Sequence, residues 1–270
     1  MSPTVVEVIN FLTDCYEQGL GYSAICTARS ALATFILLDD KPLGQNPIIS
    51  RFIRGIFTSR PALPKTNVVW DPDIILTYLK RLTPCKKLNL PVLTWKLAAL
   101  LALLTGQRVQ SLHLLDIRNI SLSKSKVKLR YGDLLKQSRP GFQLEEITIK
   151  AYAPDRRLCL VVLLTEYLNR IKPFRDNITK LFLTTQPPFR GASQQTIARW
   201  IKLILVKAGL DINIFSPHST RSAATSKAKT ANIPLTTILK TAGWSRSSTF
   251  AKYYDKPLTN EGEFADAVRN

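Results

Sequence analysis

The stretch Ser216-Pro217-His218-Ser219-Thr220-Arg221 joins a helix cap and a proline to a histidine and an arginine three residues apart. That spacing predicts both side chains on one face of a first helical turn. Such a turn also presents unpaired N–H groups and the positive end of the dipole. The pair therefore suits a phosphate oxyanion, and equally a plain solvated basic turn. Phosphate needs more donors. Arg108, just past Thr105-Gly106 at the end of the most apolar run, is a candidate whose alternative is an ordinary surface arginine. Lys136, in Asp133-Leu134-Leu135-Lys136-Gln137-Ser138-Arg139, either leans over a polyanion or tips a soluble hairpin. Trp244 after Ala242-Gly243 reads as a core plug, and Tyr253 and Tyr254, closing a short helix with Phe250, as stacking residues. His113, among Leu112, Leu114 and Leu115, reads as structural.

Other chemistries are excluded by what the chain lacks. It has no GxxxxGK[ST] phosphate loop, no GxSxG, no HExxH and no acidic cluster built for two metals. Cys15, Cys26, Cys85 and Cys159 are widely spaced without a CxxC pair, which argues against a zinc ribbon or a disulfide framework and for a reduced, intracellular protein. Lys and Arg number 38 against 19 Asp and Glu, a net charge of +19. Such an excess repels itself unless it faces a polyanion, so nucleic acid is the leading partner. A hydrophobic content of 45% rules out a disordered polyelectrolyte, and 270 residues make one large domain or two modest ones. The apolar run 97–104 falls far short of the roughly 20 residues that span a bilayer, and no secretory signal is expected at the N-terminus.

The elements that must position these residues follow from hydrophobic spacing. Ser2-Pro3 starts a helix carrying Val5, Val8, Ile9, Leu12 and Tyr16; a second is predicted over 22–38 and a third over 47–57, a small all-helical unit. Two prolines in Ser59-Arg60-Pro61-Ala62-Leu63-Pro64-Lys65-Thr66 mark a linker, giving domains of 1–65 and 66–270. In the second domain, helices are predicted over 71–82 and 91–104, then a short one with Arg108 and Leu112. Strands follow at 119–122, 126–131 and 145–151, the last two joined through Ser138-Arg139-Pro140-Gly141. Helices resume at 158–171, 194–208, 217–229 and 235–240. The fold class is mainly α, a small N-terminal helical domain plus a helical domain with a small antiparallel sheet.

Taken in order, Thr105-Gly106-Gln107-Arg108, the basic hairpin with Lys136, His218-Ser219-Thr220-Arg221, Gly243-Trp244 and a tyrosine nine or ten residues later resemble the signature of the tyrosine recombinases, the phage-integrase family, over about residues 70–256. The segments 134–141 (LLKQSRPG), 196–202 (TIARWIK) and 249–257 (TFAKYYDKP) look more specifically like recombinase domains of eukaryotic DIRS-type and Ngaro-type retroelements. The N-terminal helices look like the family's core-binding domain. This resemblance implies a DNA breaking-rejoining fold that clamps duplex DNA. It also implies a tyrosine hydroxyl that attacks a phosphodiester to leave a 3′-phosphotyrosyl link and a 5′-hydroxyl. No metal, nucleotide or other cofactor is implied, because the phosphotyrosine conserves the bond energy. Two positions depart from many bacterial members: Ser111 stands where they have Glu and Ser222 where they often have His. Neither belongs to the reacting set.

The resemblance assigns Arg108 and Arg221 to the phosphate oxygens, which suits two permanently charged bidentate donors facing a transition state that gathers negative charge. By the same resemblance His218 helps the tyrosine lose its proton, Lys136 supplies one to the leaving 5′-oxygen, and Trp244 donates its indole N–H. Tyr254 is the preferred nucleophile and Tyr253 the alternative, since DIRS-like sequences keep their tyrosine ten residues after the tryptophan. The implied partners are double-stranded DNA and further copies of the chain, as a tetramer on DNA joined through residues 259–270, with no membrane. The implied role is mobile-element integration in the nucleus. Two other readings use the same fold: an inactive or host-adopted DNA-binding protein, and a type IB topoisomerase, which the separate small N-terminal domain disfavours. Whichever holds, a chain of +19 must displace condensed counterions on a duplex. The slope of log affinity against log salt should therefore fall by roughly 0.9 per phosphate neutralised, measured by fluorescence anisotropy across a salt series; an affinity flat in salt would exclude DNA as the partner.

Overall fold

Thr4 and Glu7 start the first helix, each side chain capping the other's backbone N–H, the two bonds being 3.3 and 2.7 Å. The cap is thus Thr4, in place of the expected Ser2, which lies outside the described residues. The computed structural model describes residues 3–38, 41–61, 69–136, 138–141, 143–244 and 247–254, excepting the side chains of Thr249, Lys252 and Tyr253. It divides into two units, Met1–Lys65 and Thr66–Asn270; most of the predicted linker lies outside the described residues.

In the first unit α1 (Val5–Glu17), α2 (Tyr22–Leu32) and α3 (Pro47–Ser59) enclose a core of Val8, Leu12, Ile25, Leu43, Ile49, Ile53 and Ile56. The helix expected over 22–38 stops at Leu32. Beyond it Thr34 and Phe35 donate to carbonyls three residues back, tightening the chain, and Leu37 and Leu38 pair antiparallel with Pro42 and Lys41 as β1 (Leu37–Leu38) and β2 (Lys41–Pro42). The unit is therefore not all-helical. Burial of Leu38 and Leu43 overrides the helical spacing of Phe35 and Ile36, and Phe35 is left in solvent.

The second unit is built around one helix. After α4 (Pro72–Arg81), α5 (Leu90–Thr105) is buried along most of its length, with Leu97, Ala98, Leu100 and Leu101 wholly inaccessible and Leu104 exposed. It packs against α4, α7 (Leu160–Ile171), α8 (Gln194–Lys207) and α9 (Ser219–Thr230). Lys96 is buried with it, donating to the Leu82 carbonyl at 2.7 Å, and burial lowers its pKa. Gly106 ends α5 in the left-handed conformation at φ 57°, and α6 (Val109–His113) follows. The antiparallel sheet β3 (Ile120–Leu122), β4 (Lys126–Leu129) and β5 (Ile147–Lys150) pairs Ile120 with Leu129 and Leu129 with Ile147, in the order β3-β4-β5. After α8 and α9 come α10 (Leu235–Ala242), closed by Gly243 at φ 73°, and α11 (Ser247–Tyr253). No helix among the described residues is long and apolar enough to cross a membrane.

All four tryptophans (70, 95, 200 and 244) lie in this second unit, so indole fluorescence reports its unfolding. Leu100→Ala should lower its unfolding free energy by about 2–5 kcal/mol in urea titrations, whereas Val206→Ala, at a half-exposed site, should change it by less than about 0.5 kcal/mol.

Candidate active site

Arg221 projects from α9 into the interior and is fully buried. Its Nη1 donates to the carbonyl of Gly106 at 2.7 Å, and its guanidinium lies over the Trp244 indole at 3.9 Å and the Tyr254 ring at 5.4 Å. Its Nε and Nη2 are buried and make no hydrogen bond among the described residues. Burial first, then the charge of Arg108, brings its pKa down to about 10, while the nearby Tyr254 hydroxyl favours the charged form; the group stays cationic at neutral pH. A buried cation with two unused donors is a site for an anion.

The surrounding elements each bring one group to this point. Arg108, half-buried, is the N-cap residue of α6, two residues after the glycine that ends α5, and its charge reaches both Arg221 and His218. Gly243 closes α10 and turns the chain so that the Trp244 N–H bonds to the Leu239 carbonyl at 2.9 Å, the Schellman arrangement. Trp244 is thereby packed on Phe250 and Tyr254, ring centroids 5.6 and 4.5 Å away, with its Nε1 buried and unbonded among the described residues. Tyr254 follows α11; its carbonyl accepts from Ser226 Oγ of α9 at 2.8 Å. Its hydroxyl lies 3.2 Å from His218 Nε2. Lys136 is exposed on the connection between β4 and β5, where buried Leu135 and Ser138 bond reciprocally across a turn, and its charge is felt at His218.

His218 departs from its expected place. The helix predicted over 217–229 begins only at Ser219, so His218 is its N-cap residue and Pro217 belongs to the preceding turn. Ser219 N–H already bonds the Ser216 carbonyl, which fixes that turn ahead of the helix. His218 and Arg221 therefore do not share an outer helical face; the arginine points inward and the histidine stands at the rim, its surface still exposed. Desolvation, then Arg221, Arg108 and Lys136, hold His218 below its ordinary pKa, so it is neutral at pH 7 and its Nε2 can accept a proton from Tyr254.

The structure thus brings together Arg108, Lys136, His218, Arg221, Trp244 and Tyr254. The Tyr253 side chain lies outside the described residues, as do residues 259–270. His113 bonds the Ala192 carbonyl at 2.9 Å, away from the site. No group of three or more metal-ligating side chains occurs among the described residues. Sequence reasoning missed Gln107 and Ser226. Gln107 is buried and its Nε2 donates to the Thr241 carbonyl at 2.6 Å, tying the turn before Arg108 to the end of α10. Its position inside Thr105-Gly106-Gln107-Arg108 was a signal; Ser226 had none.

The model of the phage integrase family matches residues 82–259. Among solved structures, a XerH site-specific recombinase bound to its difH substrate is similar over 97% of this chain and 71% of its own, with a TM-score of 0.63 at 14% identity. The Tn1549 transposon integrase in complex with transposon right-end DNA is similar over 99% and 85%, with a TM-score of 0.61 at 15% identity. A lambda integrase dimer bound to a COC′ core site matches over 94% and 65%, with a TM-score of 0.53 at 19% identity. No curated protein matches by sequence. At such identities the structures speak for the fold alone, but the sequence match spans well over half of the chain and contains every residue gathered around Arg221, and on that ground the protein belongs to the phage integrase family.

Proposed function

We propose that the protein is a DNA recombinase that cleaves and rejoins duplex DNA through a 3′-phosphotyrosyl intermediate, with Tyr254 as nucleophile. One observation carries this reading: the Tyr254 hydroxyl is 3.2 Å from a neutral His218, beside a buried arginine with two N–H donors that bond nothing among the described residues. A scissile phosphate entering here accepts from Arg221 Nε and Nη2 and from Trp244 Nε1, with Arg108 as the second cation. The Tyr254 oxygen attacks phosphorus and its proton passes to His218 Nε2. The bond from phosphorus to the 5′-oxygen breaks, and Lys136 protonates that oxygen. Attack by a 5′-hydroxyl on the phosphotyrosine reverses each transfer. The unit Met1–Lys65 serves as the core-binding domain. The protein assembles as a tetramer on DNA and acts in the nucleus for a DIRS-like mobile element, readings supported by the sequence segments 134–141, 196–202 and 249–257.

Because nucleophile, histidine and arginine meet within one chain, cleavage occurs in cis. On a nicked suicide duplex, Tyr254→Phe should abolish the covalent protein–DNA band, Tyr253→Phe should keep it, and Arg221→Lys should slow its formation by about 10²–10³-fold. Mixing the Tyr254→Phe and Arg221→Lys proteins should restore nothing; recovery would show that the tyrosine is donated between chains. A band surviving both tyrosine changes would remove tyrosine catalysis.

Phosphate bound among Arg108, Arg221 and Lys136 offsets the cations that hold His218 down, so its pKa rises on binding. Calorimetric titration with duplex at pH 6, in buffers of differing ionisation enthalpy, should show proton uptake that His218→Asn removes. In free protein the sign is fixed by the depressed folded value: the histidine's contribution to stability is full above the ordinary 6.5 and is lost as pH falls through the folded pKa. His218→Asn should flatten that acid limb in thermal melts.

A further inference from the structure

The residue that accepts the tyrosine proton in this reading is held by no bond of its own to the helix it caps: the His218 side chain makes no cap hydrogen bond. The turn that carries it is instead held through its neighbour. Ser219 Oγ donates to the Ser216 carbonyl at 2.7 Å, and Ser219 N–H reaches the same carbonyl at 2.9 Å. The serine oxygen accepts in turn from the indole Nε1 of Trp70 at 2.8 Å. Trp70 is fully buried, so its N–H has no water to turn to and the bond to Ser219 satisfies a donor that would otherwise be stranded.

The start of α4 places Trp70 rigidly. Asp71, the next residue, caps that helix, and Asp71 and Asp73 both pair with Lys227, at 3.2 and 2.5 Å. Lys227 lies eight residues beyond Ser219 on α9, about 12 Å along the axis. The start of α4 therefore meets α9 at two separate points, an exposed ion-pair cluster at Lys227 and a buried indole bond at Ser219. The point nearer the chemistry is the indole bond.

We infer that Trp70 is a positioning residue for strand cleavage: through Ser219 Oγ its indole N–H fixes the 216–219 turn and thereby the approach of His218 Nε2 to the Tyr254 hydroxyl. This rests on the reading of His218 as proton acceptor. Trp70→Phe keeps a buried aromatic ring and removes the donor, together with the volume of the second ring, which Ser219→Ala leaves in place. The turn then loosens, and His218, already exposed at the rim, drifts from Tyr254 after α11 and from the cations that face its ring, Arg221 of α9, Arg108 before α6 and Lys136 of the β4–β5 connection. A displacement of even part of an ångström is costly at such a contact.

The test is single-turnover cleavage of a nicked duplex as a function of pH, with Trp95→Phe as control, since Trp95 Nε1 is buried without a partner among the described residues. Trp70→Phe should cleave about 10-fold more slowly than wild type, with unchanged duplex affinity and an acid limb moved to higher pH; Trp95→Phe should match wild type in both. A 5′-bridging phosphorothiolate, whose sulfur leaves without a proton, should rescue Lys136→Ala but not Trp70→Phe, placing the defect at the nucleophile. Ser219→Ala, which leaves the tryptophan packing untouched, should reproduce the loss, and the double variant should be no slower than either single one. It also decides the matter if Trp70→Phe fails to fold. Rates and acid limbs equal to wild type in Trp70→Phe, or in Ser219→Ala where only that folds, would overturn the inference. A covalent band persisting in Tyr254→Phe would instead overturn the underlying reading, whatever Trp70 does.

Discussion

Taking a guanidinium out of water costs several kcal/mol unless something in the interior replaces its hydration. Around Arg221 that replacement is made, among the described residues, without a carboxylate. The charge rests on the carbonyl of Gly106, at the C-terminal and therefore negative end of the sixteen-residue helix α5, and against the faces of Trp244 and Tyr254. A carboxylate would have satisfied the arginine more fully and closed the site to anions. Dipole and π faces hold the cation while leaving Nε and Nη2 without a partner among the described residues. The core helix is thus also an electrostatic component, and the burial of Leu100, Leu101, Ala102 and Thr105 holds its end in place.

Much of the remaining architecture can be understood as ways of bringing side chains to that point. Gly106 and Gly243 each adopt a positive φ that ends a helix and redirects the chain, one toward Arg108 and the other into Trp244. A Cβ at Gly106 would also meet the Thr225 methyl at 3.4 Å. Trp244 then serves three neighbours at once, Phe250, Tyr254 and Arg221, so the segment bearing the tyrosine is referenced to the same arginine that would hold the phosphate. Helix α9 supplies Arg221, the serine that holds the Tyr254 carbonyl and, at its cap, His218. One element therefore sets Tyr254, His218 and Arg221 relative to each other.

The accumulation of like charge explains the state of the histidine. Arg108, Arg221 and Lys136 converge with no acidic group among the described residues acting on His218, and this holds its pKa below the ordinary imidazole value before an anion arrives. Elsewhere the protein pairs its cations where acids are at hand, as Lys128 and Arg130 do with Glu146 and Lys227 with Asp71 and Asp73. The surplus at the site is a local imbalance, with Arg221 buried, Arg108 half-buried and Lys136 exposed.

By itself the sequence determined the fold class and the three strands of the second unit to within a residue or two, because these leave a local mark, and the order and spacing of its short motifs, through their family resemblance, pointed to the side chains that meet around Arg221. Period-3.6 and period-2 spacing report burial along one element, and the glycines of Thr105-Gly106 and Ala242-Gly243 report the backbone turns that only they adopt easily. Only the tertiary structure decided that α2 ends at Leu32, that Lys96 is buried, and that His218 caps a helix which was expected to carry it on a face. The bonds of Trp70 to Ser219 and of Gln107 to Thr241 join residues 149 and 134 apart in the chain. Such contacts leave no periodicity to read, since their energy depends on which surfaces the folded core brings together, and they hold the site in its geometry.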